Sequence, residues 1–337
     1  MSSDGWQLDG DAARQAFDVL RSAACVCFPT HQNVDADGVS SALAMLDGLR
    51  RRGGNGFVLI SDGRFPRYLS FLPGSEQVVI YGKDELPAYD MLCLVDCSDQ
   101  RRLGKFYSDD PMRIDGDTPI VNIDHHVTND HFGLVNIVEP RAAAAAEIVT
   151  DILEVWGIDF DFPLAQLLLA GIYGDTLGLR TDNTTARTMR TAADLVDAGA
   201  DPARIVDALF RIKPATAVCL WARALEGVSW QSSLIWTEVS RRLLADCNAD
   251  ASEAENLVNF LTGTEGSTMA AILYENENGW RVSMRTLSPG VDVAAIAAHF
   301  GGGGHPKAAG CQITGGEAER DEFLRRAAEL AEAQIAS

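Results

Sequence analysis

Three side chains that could bind a cation lie close together near the start of the chain, in the stretch THQNVDADGVSS. His31, Asp35 and Asp37 fall within seven residues, and an apolar pattern typical of a helix follows them directly. Two carboxylates this close repel each other unless a positive charge lies between them. A lone Asp-x-Asp is more often a turn or a helix N-cap. An EF-hand is excluded, because the stretch lacks the glycine and glutamate at the required offsets.

Candidate ligands also lie at the ends of three other apolar segments. Asp96 lies near the end of MLCLVDC, the triplet Asp124, His125 and His126 ends PIVNIDHH, and Asp175 ends LAGIYGD. Ligands bind to open parallel sheets at the carboxyl ends of the strands, so we expect these segments and the first one to converge. Each residue alone could be a turn or a cap. Together they favour a metal site.

The chemistry of this donor set is that of a two-metal hydrolase. Carboxylates packed together without a lysine require large pKa shifts, whereas two divalent cations would offset their charge. Carboxylate and imidazole donors favour Mn²⁺, with Mg²⁺ or Co²⁺ as alternatives. Two such cations activate a water molecule and stabilise the leaving oxygen in phosphoester hydrolysis.

The elements that must position these residues alternate between strand and helix. Short apolar runs predict strands at 24–30, 56–61, 77–82, 90–97 and 118–124. An amphipathic stretch from Val39 to Arg52, closed by two glycines, predicts a helix between the first two strands. Apolar residues on both strand faces are typical of a parallel sheet covered by helices on both sides.

The second half of the chain begins helical and then becomes rich in strands. Residues 141–210 have mainly helical patterns, and strands are predicted at 233–239, 267–275 and 279–286, before two closing helices. The pattern changes near Lys213 and Pro214. We therefore predict a catalytic domain at 1–190, a helical linker at 191–215 and a smaller α/β domain at 216–337.

Composition limits the class of partner. The chain has 337 residues, 47% of them hydrophobic, and a net charge of −20. This length suits two domains, and the acidic balance disfavours binding of long duplex DNA or RNA through a broad basic face. No apolar window is long enough for a membrane span and the N-terminus lacks a signal-peptide layout. We expect a cytoplasmic location without membrane attachment.

The cysteine pattern argues against two kinds of structural cross-link. Seven cysteines form no CxxC pair, which disfavours a disulfide framework and a structural zinc site. We expect most of them to be small buried hydrophobic residues.

The ordered motifs resemble those of the DHH phosphoesterases, a family named for the triplet found here at Asp124, His125 and His126. The similar segments are HQNVDADGVSS, VDCSD, IDHH and GIYGDTLGLRTDNTT, and GGGGHPKAAG resembles the associated DHHA1 domain. The resemblance covers nearly the whole chain. It implies a parallel-sheet DHH domain with flanking helices, a smaller α/β DHHA1 domain, and an active site in the cleft between them.

The resemblance also implies roles for individual residues. His31 and Asp35 would bind one metal, Asp37, His125 and Asp175 would bind the other, and Asp96 would bridge both. His126 and Asp124 are the expected catalytic residues: His126 would face the scissile phosphate, and Asp124 would orient His125. The attacking group would be an activated water, with no covalent intermediate.

A glycine-rich stretch in the second half could bind the far end of a substrate. A helix predicted at 292–300 stops at Gly301, and bare backbone N–H groups in the following loop could form an anion nest. Arg285, on the neighbouring strand, could add a bidentate phosphate contact. Arg180 and Asn183 lie just after the candidate ligand Asp175 and could contact the substrate, although a surface salt bridge is the alternative for Arg180. The predicted substrate-binding residues are Arg180, Asn183, Arg285, Gly302, Gly303, Gly304 and His305.

We therefore predict a metal-dependent hydrolase of short oligoribonucleotides and of 3′,5′-bisphosphonucleosides such as pAp. The alternative is a phosphodiesterase of cyclic dinucleotides or of linear pApA. A RecJ-like single-strand exonuclease, a manganese pyrophosphatase and a non-catalytic nucleotide-binding regulator fit less well, the last because all six expected ligands are present. The family also leads us to expect a homodimer. Gly174, Leu177 and the alanine run in RAAAAAEIV depart from the family pattern and could alter substrate preference.

Overall fold

The computed structural model describes residues 6–254 and 256–336, and the chain divides after Ile212 into two compact units. In the first unit the strands are β1 (Val26–Pro29), β2 (Gly56–Ile60), β3 (Val79–Ile80), β4 (Met91–Val95), β5 (Ile120–Asp124) and β6 (Val135–Val138). Its helices are α1 (Gly10–Ser22), α2 (Ala36–Arg51), α3 (Lys105–Ser108), α4 (Met112–Asp115), α5 (Ala145–Val155), α6 (Phe162–Asp175), α7 (Ala186–Asp197) and α8 (Pro202–Val206).

The first sheet is parallel throughout, with the strand order β3-β2-β1-β4-β5-β6. The order reverses at β1, because β2 pairs on one side of it and β4 on the other. Such a switch point opens a crevice beyond the carboxyl ends of the two central strands. The predicted α/β class is confirmed, and the first and second motifs lie at this crevice because they follow β1 and β4.

Residues 191–212 pack with the first unit. Leu195 on α7, Ile205 on α8 and Leu209 in the π-helical turn Asp207–Arg211 are buried in the same core as the central strands. This segment, which we predicted as part of a linker, is held by apolar burial. The division at Ile212 lies beside the change of sequence pattern near Lys213.

The second unit contains a mixed sheet. Its strands are β7 (Ser229–Gln231), β8 (Leu234–Val239), β9 (Met269–Asn276), β10 (Gly279–Arg285), β11 (Gly303–His305) and β12 (Ala308–Thr314). Its helices are α9 (Ala215–Glu226), α10 (Arg241–Cys247), α11 (Leu257–Thr262), α12 (Val293–Ala298) and α13 (Glu317–Ile335). The order is β11-β12-β10-β9-β8-β7, with β8 and β9 parallel and the other pairs antiparallel.

Alternate residues of β9 explain why helices cover both faces of this sheet. Met269 and Leu273 pack with α12 and α13, whereas Ile272 packs with the helices α9 to α11. This alternation follows from the two-residue period of a strand. Across the described residues of both units, the helices are all too short or too polar to span a membrane.

The glycine-rich stretch is a β-hairpin, where we expected a loop. Residues Gly303–His305 form β11 and pair with β12. Gly304 has φ +145°, and a Cβ atom there would lie 2.5 Å from the Ala308 carbonyl oxygen. The glycines therefore allow two backbones to approach closely, and part of the expected anion nest is used in strand pairing.

The expectation of no disulfide framework needs one correction, since Cys219 on α9 and Cys247 on α10 form a disulfide. Two cysteines 28 residues apart give no sequence signal of pairing. Cys27, Cys93 and Cys311 are buried and free, as expected for small hydrophobic residues.

Removing this disulfide is expected to destabilise the second unit. Closing a loop of this length lowers the conformational entropy of the unfolded chain, which stabilises the folded state by about 3.5 kcal/mol. We expect the variant Cys219→Ser/Cys247→Ser to lose a comparable free energy of unfolding in urea denaturation. The variant should be insensitive to dithiothreitol, and equal stability of the parent chain with and without reductant would contradict the prediction.

Candidate metal centre

The first motif lies where β1 ends and α2 begins. His31 follows β1 and is buried. Asp35 is the N-cap of α2, where its Oδ1 accepts a hydrogen bond of 3.0 Å from the Gly38 backbone N–H. Its Oδ2 lies 3.4 Å from His31 Nε2. The Asp35 carboxylate therefore both caps α2 and belongs to the candidate metal site.

Asp37, in the first turn of α2, is completely buried and contacts a second helix. Its Oδ2 accepts from the Ala145 N–H at 2.6 Å and its Oδ1 from the Ala146 N–H at 2.9 Å. These N–H groups open α5, whose own N-cap residue supplies no side-chain hydrogen bond. Asp37 therefore stabilises the positive end of α5 and is fixed in position by it.

Asp96 follows β4 with a left-handed backbone, at φ +59°. This conformation is uncommon for a residue other than glycine. One carboxylate oxygen of Asp96 lies 3.3 Å from His31 Nε2, and the other lies 3.4 Å from His125 Nε2. The two oxygens therefore face different histidines.

The third and fourth motifs complete the same site. His125 and His126 follow β5, and Asp175 is the last residue of α6. Asp175 Oδ2 lies 3.2 Å from His125 Nε2. The structure brings together all six predicted ligands and His126, in three overlapping groups whose donor atoms lie within 4.8 Å of one another. The groups are His31–Asp35–Asp96, Asp37–His125–Asp175 and Asp96–His125–His126.

The electrostatics of this cluster indicate a need for positive charge. Burial, together with Asp175 and Asp96, raises the pKa of Asp37 well above its ordinary value. Burial alone would lower the pKa of His31, but Asp35 and Asp96 outweigh it and raise this pKa to about 10. Without cations, the clustered carboxylates therefore favour the protonated forms of His31 and Asp37.

The donor set fits divalent cations. Both ring nitrogens of His31 and Oδ1 of Asp96 are buried, and no residue of 6–254 or 256–336 forms a hydrogen bond with them. Such polar atoms are costly to bury unless something binds them. Because they lie among carboxylates and a second imidazole, hard or borderline divalent ions suit them.

Asp124 contacts a different histidine from the one we expected. Its Oδ1 lies 2.8 Å from His126 Nδ1 and accepts from the His125 backbone N–H, also at 2.8 Å. The side chain of His125 instead places Nδ1 3.3 Å from the Ala142 carbonyl oxygen. Asp124 therefore orients His126, because β5 ends at Asp124 and only the second histidine turns back toward it.

Asn129 is a site residue that the sequence reasoning missed. Its Nδ2 donates to Asp124 Oδ2 at 2.6 Å, and its Oδ1 accepts from Asn122 Nδ2 at 2.9 Å. All three side chains are buried. The only sequence signal is the nearness of Asn129 to the DHH triplet.

Asn183 and Arg180, which follow the predicted ligand Asp175, have internal partners. Asn183 Nδ2 donates to the Ala143 carbonyl oxygen at 2.9 Å, which supports the segment before α5. Arg180 Nε donates to the Leu177 carbonyl oxygen at 2.6 Å, and its guanidinium lies 5.8 Å from the centre of the Phe210 ring. Arg180 makes no salt bridge within the described residues, so that alternative is not realised.

In the second unit, strand register places Arg285 and His305 on one face of the sheet. Arg285 on β10 and His305 on β11 are both paired with Ala308 on β12. Burial lowers the pKa of the Arg285 guanidinium. No carboxylate of the described chain lies within salt-bridge distance of Arg285, so its charge suits an external anion. Gly302, Gly303 and Gly304 lie at the same hairpin.

A parallel sheet with buried carboxylates and imidazoles at its switch point defines an α/β phosphoesterase of the metal-dependent class. The chain belongs to the DHH family. The model of the DHH family N-terminal domain matches residues 26–172, and that of the DHHA1 domain matches residues 234–333. The predicted resemblance is confirmed for both halves.

Relatives and solved structures agree with this placement. The chain is 30% identical to the bifunctional oligoribonuclease and PAP phosphatase NrnA of Thermus thermophilus, over 85% of this chain and 83% of that protein. It is 26% identical to the Bacillus subtilis protein of the same name, over 69% and 74%. An exopolyphosphatase-related protein from Bacteroides fragilis has the same fold, with a TM-score of 0.88, 18% identity and coverage of 99% and 100%. RecJ from Thermus thermophilus matches with a TM-score of 0.58 at 13% identity, over 97% of this chain but 55% of RecJ.

Proposed function

We propose that this chain hydrolyses phosphoester bonds in short oligoribonucleotides and in 3′,5′-bisphosphonucleosides such as pAp. The observation that carries the proposal is the set of overlapping donor groups around Asp96 and His125, which contains buried nitrogen and oxygen atoms with no hydrogen-bond partner among the described residues. The two NrnA relatives named above supply the substrate class.

We propose the ligand roles that the family resemblance implies, and the close approach of the six side chains supports them. His31 and Asp35 would hold one cation, Asp37, His125 and Asp175 the other, and Asp96 both. Divalent cations, Mn²⁺ before Mg²⁺ or Co²⁺, would supply an activated water and screen the charge of the phosphoryl group. Asp124 holds the His126 ring at the edge of this cluster, where the ring would face the scissile phosphate.

A side-by-side rate comparison tests the proposal. Purified protein with Mn²⁺ would be given pAp, pApA, a three-residue RNA, a 24-residue RNA and c-di-AMP. We expect pAp and the short RNA to react fastest, because the acidic chain has little to hold a long strand. If c-di-AMP reacts fastest, the cyclic-dinucleotide alternative replaces this proposal. If all substrates remain intact, the chain is not such a hydrolase.

Loss of His305 is expected to weaken substrate binding rather than turnover. His305 lies on the same face of the second sheet as Arg285, with β12 between them, and is far in sequence from the metal ligands. We expect His305→Ala to raise KM for pAp roughly 10-fold, the value of one charge-assisted hydrogen bond, with kcat changed little. Steady-state kinetics check this. A fall in kcat at unchanged KM would contradict it.

Gly171→Ala is expected to weaken metal binding although Gly171 is not itself a proposed ligand. A Cβ atom at Gly171 on α6 would lie 2.7 Å from Asp37 Oδ1 and 2.6 Å from the Ala146 Cβ. Either α6 or Asp37 must shift, so we expect at least a 10-fold loss of Mn²⁺ affinity in isothermal titration calorimetry. Gly10→Ala is the control, because its nearest neighbour is the flexible Arg14 side chain at 3.4 Å. Equal Mn²⁺ affinity of the two variants would refute the prediction.

A further inference from the structure

An arginine that no motif includes lies against the candidate metal centre. Arg102 belongs to the 3₁₀ turn Gln100–Leu103, which follows β4 and Asp96. Its Nη1 lies 3.4 Å from His126 Nε2 and 3.3 Å from Ser98 Oγ. The guanidinium thus reaches the edge of the same cluster.

The other ring nitrogen of His126, Nδ1, determines which atom donates in the contact between Arg102 and His126. His126 Nδ1 faces Asp124 Oδ1, and Asp124 has its second oxygen engaged by Asn129. A carboxylate in this setting accepts, so Nδ1 carries the hydrogen and the Nε2 lone pair faces Arg102. Since a guanidinium only donates, Arg102 donates to Nε2.

Arg102 has donor capacity that the described protein does not use. It makes no salt bridge with the described carboxylates, because the nearby Asp99 is engaged by Arg101 through contacts of 2.7 to 3.1 Å. A guanidinium has five N–H donors, and both contacts of Arg102 involve Nη1. Arg102 is half-buried, has unused N–H donors and lies beside the histidine that we predict faces the phosphate. Such an arginine is well placed to bind an oxyanion.

The backbone of Arg102 anchors the first motif independently of its side chain. Its carbonyl oxygen accepts from the Gln32 N–H at 2.6 Å, next to His31. This bond involves only backbone atoms, so substitutions of residue 102 retain both its donor and its acceptor. Variants therefore test the guanidinium alone.

We propose that Arg102 binds a phosphoryl oxygen of the substrate at the metal centre, beside His126. The proposal rests on the proposed phosphoester hydrolysis and assigns this residue as a substrate contact of the first unit. The ligand class is a phosphate monoester or diester anion. When it binds, Arg102 exchanges its long contact with His126 Nε2 for a charge-assisted bond to the phosphoryl group.

The test compares Arg102→Ala and Arg102→Lys with Arg14→Ala, an exposed arginine on α1 that pairs with Asp11. Binding of adenosine 5′-monophosphate to the Mn²⁺-loaded full chain is measured by calorimetry, alongside Mn²⁺ binding and kcat/KM for pAp. We expect Arg102→Ala to weaken nucleotide binding on the order of 10- to 100-fold, with Arg102→Lys between it and the parent. Mn²⁺ affinity should stay within about 2-fold of the parent, and Arg14→Ala should match the parent in all three measurements.

Two results would overturn the assignment. Unchanged nucleotide binding in Arg102→Ala would leave the side chain without a substrate contact, and a parallel loss of Mn²⁺ affinity would show that it supports the ligands. Both differ from failure of the proposed function, in which the parent chain itself hydrolyses none of the substrates.

Discussion

Asp96→Asn is expected to lower kcat for pAp by at least about 1,000-fold. Asparagine keeps the size of the side chain but removes the charge and replaces one oxygen with an N–H₂ group, which cannot bind a cation. The two oxygens of Asp96 face His31 and His125 separately, so the change affects both ligand groups. Loss of Lewis-acid stabilisation worth several kcal/mol corresponds to this factor.

Calorimetric titration with Mn²⁺ gives a reading independent of turnover. We expect the parent chain to bind two ions and Asp96→Asn to bind at most one with comparable affinity. Asp47→Asn is the matched control, because Asp47 lies on the outer part of α2 and pairs with Arg51. If Asp96→Asn binds two ions tightly and keeps full activity, Asp96 does not bind both cations.

The sequence predicts the convergence of the ligands for a simple physical reason. Parallel strands place their carboxyl ends at one edge, so residues that follow β1, β4 and β5 must meet. Asp175 joins them from the end of α6. The left-handed backbone of Asp96 cannot be predicted from the sequence, because the residue type does not encode it and tertiary contacts must maintain it.

Strands that depend on long-range pairing were the hardest to predict. β6 is four residues long and is formed by pairing with β5 at the sheet edge. β11 and β12 are rich in glycine and alanine, which have low strand propensity, so the stretch reads as a loop. In each case neighbouring strands override the local preference.

The supporting residues of the site escaped prediction because their types are common. Asn129 and Arg102 belong to no recognisable metal or phosphate motif, and their contacts with Asp124 and His126 depend on how two loops meet. Only coordinates could reveal them. The same contacts change the expected role of Asp124, which now orients His126.

Asp124→Asn is expected to lower kcat on the order of 100- to 1,000-fold while leaving Mn²⁺ binding nearly intact. Asp124 accepts hydrogen bonds from His126 and Asn129 on different oxygens. An asparagine has only one carbonyl oxygen, so its N–H₂ group must face another donor, either the Asn129 amide or the His126 Nδ1–H. The His126 ring then loses its orientation or takes the other tautomer, as replacement of a histidine-orienting aspartate does in other hydrolases. Kinetics with pAp and calorimetry with Mn²⁺ measure the two effects.

Exchanging the side chains of Asp124 and Asn129 tests whether the orientation of His126 or the negative charge beside it is required for activity. In Asp124→Asn/Asn129→Asp, the new asparagine can accept from His126 and donate to the new aspartate, which still accepts from Asn122 and from the His131 N–H, as Asn129 does now. If orientation of His126 is what matters, the double variant should recover at least about 10-fold of the lost kcat, a coupling that only interacting residues show. If the negative charge next to His126 is itself required, moving it to residue 129 will restore nothing, and the assignment of Asp124 as a positioning residue fails.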